Sequence, residues 1–311
     1  MRLAGPKLLA ILCFAVVCLA APVRLAAQNP DDMLPAESEA KAKQILQDAV
    51  ASMGGAAYLN ARDVTCEGRA GTFGHSGDLN GFGHFVDYQI LPDKERQENL
   101  PKRNLIDIYN GDKGWTLDRG GISEKSEAEI AKNQGDQAFD VDYILRHRLN
   151  EKGMIIRYGG PDVVELKEAD WVELVDPQNR TIRIAFARNT HLPIQEHVEV
   201  RDPETETRTE YRLYFSNYHP INGIETPFQI ARERNGIKVF QVFLDKCEYN
   251  TGLSPDMFTR ASLEERWSKV GKKEIKKEEK KEAKEEKADA DKSNSDSSDS
   301  SDSGSSTTKP N

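Results

Sequence analysis

Cysteine is scarce: four in 311 residues, at positions 13, 18, 66 and 247, and none has a second cysteine three positions away. A zinc ribbon and a dithiol redox centre both need that close pairing, so neither has support. Long apolar runs are equally scarce. The longest, residues 8–21, has 14 residues, short of the roughly 20 that a spanning helix needs. There is no Gly-x-Ser-x-Gly, no His-Glu-x-x-His, no phosphate-binding loop and no strand followed by Gly-x-Gly-x-x-Gly. The six histidines do not cluster. His191 and His197 come nearest, but Leu192-Pro193 begins a strand between them, leaving one in a turn and the other in mid-strand. A metal needs three or four converging ligands, so none is expected. The carboxylates Asp63, Asp87, Glu98 and Asp107 are dispersed along half-exposed strands, without the spacing that holds an acid and a base across a cleft. Neither an enzyme nor a resident cofactor is expected.

The two ends separate from the middle by composition. In residues 1–27, Arg2 and Lys7 precede the apolar run, and Leu25-Ala26-Ala27 lead to a break before Gln28, the pattern of an export signal cleaved near Ala27. An uncleaved anchor is the alternative, and the length of the run speaks against it. Leu12 and Val17 precede Cys13 and Cys18, where lipid-modified signals carry a small residue, so a soluble exported protein is expected. Residues 269–311 form the other end. Eight Lys and six Glu between 272 and 287, with no apolar stripe, suit a solvated helix, and the Ser/Asp-rich stretch that follows has nothing to bury. That end reads as a spacer or solubilising tail.

Residues 28–268 are left to fold as one domain, with 29 basic against 41 acidic side chains. Such an acidic middle excludes a nucleic-acid-binding surface and an anionic-lipid surface as the main function, since both need a basic field. Only Cys66 and Cys247 remain here, each inside a strand-like segment. An oxidising compartment makes a disulfide possible if their strands are neighbours; two half-buried free thiols are the alternative.

Periodicity supplies the elements. Residues 35–53 read as a helix, with Glu37 and Glu39 early, Ile45, Leu46, Ala49, Val50 and Met53 at helical spacing, and Gly54-Gly55 as the stop. From 63 to about 117 the period changes to two. Phe82, Val86, Tyr88 and Ile90 share one strand face, Pro92-Asp93-Lys94 turns the chain, and Asn110-Gly111 begins a hairpin turn before Trp115. A helical insertion is expected over 123–150, in two pieces broken near Gly135. Alternation returns from 154 to 249 in Ile182, Ile184 and Phe186, in Tyr211, Leu213 and Phe215, in Phe228 and Ile230, and in Phe240, Val242 and Leu244. Roughly eleven strands follow from this pattern, which excludes a doubly wound nucleotide fold.

The expected architecture is therefore mainly β with some α: one large curved antiparallel sheet, an incomplete β-barrel, with a few helices on or over it. Its inward residues would include Val86, Tyr88, Ile90, Ile184, Phe186, Leu213, Phe215, Phe228 and Phe240. Either they line a space suited to an acyl chain or they fill a solid core.

Five landmarks occur in a fixed order: the helix ending Met53-Gly54-Gly55, Pro92-Asp93-Lys94-Glu95-Arg96, Tyr109-Asn110-Gly111-Asp112-Lys113-Gly114-Trp115, Thr190-His191-Leu192-Pro193-Ile194, and Tyr218-His219-Pro220-Ile221-Asn222-Gly223-Ile224-Glu225-Thr226-Pro227-Phe228. Glu248-Tyr249-Asn250 and Asp256-Met257-Phe258 follow. Over about 36–262 this series resembles the LolA/LolB-type outer-membrane lipoprotein-sorting superfamily, in particular its acidobacterial-type branch. The resemblance implies an incomplete barrel with a helical lid over an apolar cavity, a periplasmic location, and lipid or lipoprotein acyl chains as partners, with an envelope protein as a further partner. It also suggests Arg96 as a residue holding lid or cargo, its other reading being an ordinary exposed strand arginine. An envelope interaction module with a filled core is the alternative function.

Overall fold

The computed structural model describes residues 30–201 and 206–269, together with Lys277 and Lys280. The signal expected over 1–27 lies outside the described residues, as does the tail apart from Lys269, Lys277 and Lys280.

The chain enters through helix α1 (Pro35–Ser52) and a short α2 (Ala56–Leu59). Pro35 opens α1, Glu37 accepts a hydrogen bond from Leu34 N at 3.3 Å, and Ala42, Leu46 and Ala49 form its buried stripe. It ends at Gly54, whose φ of +126° only glycine adopts readily, and where a Cβ would come within 2.3 Å of Gly223 O.

Six strands then meander outward: β1 (Asp63–Phe73), β2 (Leu79–Ile90), β3 (Lys94–Leu100), β4 (Ile106–Asn110), β5 (Lys113–Asp118) and β6 (Gly121–Glu124). Helices α3 (Glu127–Gln137) and α4 (Val141–Tyr143) and a wide helical turn, Ile144–Arg148, carry the chain across. Seven strands return: β7 (Ile155–Val164), β8 (Lys167–Val175), β9 (Thr181–Ala187), β10 (Pro193–Arg201), β11 (Arg208–Ile221), β12 (Ile224–Arg234) and β13 (Ile237–Tyr249). Asn222-Gly223 and Asn235-Gly236, all four with positive φ, make the turns into β12 and β13.

The thirteen strands of the described residues pair antiparallel in one sheet, ordered β6-β5-β4-β3-β2-β1-β13-β12-β11-β10-β9-β8-β7. The sheet is open: its edges are β6 and β7, and α3 and α4 connect them in sequence. At its middle β1 meets β13, with Cys66 opposite Cys247 at a Cα separation of 4.2 Å and a disulfide joining them. The strand count exceeds the eleven that alternation predicts. One reason is β6, half exposed with Ile122 as its one large apolar side chain, so that its start at 121 leaves no period to read. The break in the crossover also differs from expectation. Helix α3 runs through Gly135, and the chain breaks before Asp140, whose carboxylate caps α4 by accepting from Tyr143 N at 2.8 Å.

Each face of the sheet has its own cover. On the inner face α1 seats Ala42, Leu46 and Ala49 on Tyr158, Val172, Leu174, Ile182 and Ile184, and Ser38 Oγ accepts from Tyr158 N at 2.9 Å. On the outer face Ile106, Ile108, Trp115 and Leu117 are covered by Phe258, in the turn Pro255–Phe258, and by Leu263, in the helical stretch 260–269.

Candidate functional site

Helix α1 covers only the β7–β9 end of the inner face. Beyond it a hollow of about 590 Å³ opens, walled by β1–β4 on one side and β10–β13 on the other and roofed by α3 and α4. Cross-strand register builds its wall. One row carries Glu196, Leu213, Arg232 and Phe240 side by side across four strands, and the next carries Phe215, Ile230 and Val242. Val64, Phe85 and Leu244 add apolar surface, and Phe139 and Val141 supply it from above.

The roof is tied down at several points. Ser126 and Glu129 cap α3 reciprocally, and Gln137 Nε2 donates to Pro92 O. Arg146 bonds Asp142 at 2.6 Å, lies over the Tyr58 ring at 3.8 Å from its centroid and donates to Tyr58 O, anchoring the roof to α2. Arg148 reaches Asp176, whose carboxylate is fully buried, at 3.2 Å.

The chamber is not purely apolar. Glu196 is 2 % exposed, and burial pushes its carboxyl well above the ordinary carboxylate range, with Asp140 adding to the rise and Arg232 opposing it. Asp87 is raised by burial and by Glu95, which is itself raised by burial. Asp140 reaches about 6, chiefly through burial and then through Asp142. Asp140 is exposed on the lining of the hollow. Asp87 Oδ1, Glu196 Oε1 and Arg232 Nε have no hydrogen-bond partner among the described residues.

Of the residues expected to line the cavity, Leu213, Phe215 and Phe240 do. Ile184 and Phe186 belong to the solid core that α1 fills. Phe228 is half buried, edge-on to His219 at 4.7 Å between ring centroids, and does not reach the hollow. Val86, Tyr88, Ile90 and Arg96 point to the outer face, because strand alternation gives the inner face of β2 and β3 to Phe85, Asp87, Gln89, Glu95 and Gln97. Tyr88 and Ile90 pack against the outer cluster, and Arg96 binds Glu98. Sequence reasoning passes over Glu196 and Arg232, and it expects a helical lid and a helical insertion over 123–150 without assigning the one to the other. The register that sets both charged residues beside apolar neighbours of one sheet face is a relation between strands, and no signal within β10 or β12 alone gives it.

No protein-family model matches the chain. No curated protein matches it either. Solved structures do. A DUF1329 family protein from Desulfovibrio piger superposes with a TM-score of 0.53 at 15% identity, over 71% of this chain and 98% of that one. A putative outer membrane lipoprotein-sorting protein domain from Vibrio parahaemolyticus gives 0.51 at 11% identity, over 72% and 99%. Such low identities establish likeness of fold, and at that level the LolA/LolB-type resemblance drawn from the turn landmarks holds.

Proposed function

We propose that this chain is an exported, periplasmic carrier that holds an acyl chain or another apolar ligand in the roofed hollow, without covalent chemistry. The observation that carries the reading is the hollow itself. The inner rows of β10–β13 do not close into a filled core, and the roof crosses above them where packed side chains would be expected of a purely structural module. A dozen buried methylenes, at about 0.8 kcal/mol each, supply roughly 10 kcal/mol before the costs of association. The fold likeness to a lipoprotein-sorting domain supports the same reading. Partners follow from it: a lipid or lipoprotein acyl chain as cargo, and envelope proteins as donor and acceptor.

Native mass spectrometry with lipid extraction, on the full chain purified from the periplasm of a Gram-negative host, tests the reading. The expected result is a co-purifying acyl-bearing molecule that is lost in Phe215→Asp while circular dichroism stays unchanged. Clean protein that also ignores fluorescent fatty-acid probes sinks the carrier reading and favours an interaction module.

A further inference from the structure

Three polar atoms on the wall of the hollow have no hydrogen-bond partner among the described residues: Asp87 Oδ1, Glu196 Oε1 and Arg232 Nε. Glu196 is the telling one. It is 2 % exposed, so bulk water does not compensate it, and it stands in register with Leu213, on a row whose other members are Arg232 and Phe240. A buried polar group left without a partner is costly, and a chamber that keeps one in its wall is matched to a molecule that brings the partner with it.

Charge decides what that molecule carries. The strongest charge acting on Glu196 is a second carboxylate, Asp140 in the roof, ahead of the Arg232 guanidinium. The other cations of the hollow are already engaged, Lys94 with Asp93 at 3.0 Å and Arg146 with Asp142 at 2.6 Å. A ligand carboxylate or phosphate would therefore add a further acid to Glu196, Asp140, Asp87 and Glu95, which burial and one another already hold above the ordinary carboxylate range. A protonated amine offers three donors and the opposite sign, matching two of the three unpartnered atoms.

We propose that the ligand is an amine-bearing amphiphile, its ammonium seated on Glu196 and its apolar chain lying along Leu213, Phe215 and Phe240. This rests on the carrier reading above and narrows its ligand class.

Isothermal titration of the full chain with decylamine, decanol and decanoate, each below its aggregation concentration at pH 7, separates the two. Decanol measures the apolar contribution alone. The expected order is decylamine tightest and decanoate weakest, with Glu196→Gln weakening decylamine about tenfold or more while decanol changes by less than about twofold. Decanoate binding as tightly as decylamine, or decylamine indifferent to Glu196→Gln, overturns the amine assignment and leaves the carrier reading standing if decanol binds. Failure of all three to bind overturns both. Should Glu196→Gln not fold, the order of the three ligands on the unaltered chain decides.

Discussion

Arg96 Nε donates to Glu98 Oε1 at 2.6 Å on the outer face of β3, and the same guanidinium reaches Met257 O at 2.7 Å and Ser262 Oγ at 2.8 Å. Glu98 also accepts from Arg103 at 2.8 Å. This buried pair clamps the segment after β13 onto the sheet, on the side away from the hollow. Arg96→Met leaves Glu98 buried with one partner fewer and is expected to cost about 3–5 kcal/mol in urea denaturation. Ligand affinity at low denaturant is expected to stay within about twofold of the unaltered chain. Lost binding at full stability would put Arg96 in the ligand's path.

The disulfide between Cys66 and Cys247 closes a sequence separation of 181 residues. Cross-links over loops of that length restrict the unfolded chain strongly, and the double change Cys66→Ala with Cys247→Ala is expected to cost about 2–5 kcal/mol. The unaltered chain under reducing denaturation should fall to the same midpoint. An identical midpoint with and without reductant contradicts this.

Stability should peak on the acid side of neutral. Asp140, Asp87 and Glu196 all bind protons more tightly folded than unfolded, so the stability they contribute is full below the ordinary carboxylate range. It is lost as pH rises, for Asp140 through about 6. Burial pushes Asp170 and Asp176 up, but hydrogen bonds and charge from Arg188 and Tyr158 on the first and from Arg180 and Arg148 on the second together hold them low, so these two act the other way, losing stability only in stronger acid. Thermal melts are expected to be highest near about pH 5 and to decline towards 8. Asp140 faces Asp142, Arg146 and Glu196. Asp140→Asn, which keeps the cap on α4, should reduce that decline. A melt that rises steadily from 5 to 8 refutes the account.

Two glycines should respond oppositely to alanine. At Gly54 the backbone conformation and the Gly223 carbonyl at 2.3 Å both oppose a Cβ, and Gly54→Ala is expected to cost at least about 2 kcal/mol. Gly135, inside α3, has nothing within 4 Å of the same position. There Gly135→Ala should stabilise by about 0.5–1 kcal/mol. Equal effects at the two sites, read from chemical denaturation, would contradict the packing described here.

Much of the fold was legible because turns and periods are local. Met53-Gly54-Gly55 ends α1 as read, the Asn-Gly pairs turn the hairpins, and the change from period 3.6 to period 2 falls where β1 begins. Which face of a strand turns inward is not a local property. In β2 the apolar set Val86, Tyr88 and Ile90 looks like the inner one, yet the segment around Phe258 covers that side and the hollow receives Asp87 and Gln89. The decisive fact is a contact made more than 150 residues later in the chain, and no periodicity within β2 encodes it. Leu213 and Phe215 were readable because the β11 residues that alternate with them, Arg212, Tyr214 and Ser216, each carry a polar group, so the alternation has a single meaning.

The order of strands in the sheet also dictates the order of assembly. Strands β1 to β6 are neighbours in sequence and can zip together as they emerge, and so can β7 to β13, but β1 gains its second partner only when β13, the last strand, has formed. Closing that pair requires an excursion of most of the domain, the slow kind of step that high contact order imposes. A chain delivered N-terminus first must therefore wait for its C-terminal strands before the two walls of the hollow stand together. Any truncation ahead of β13 leaves two separate ladders and no chamber.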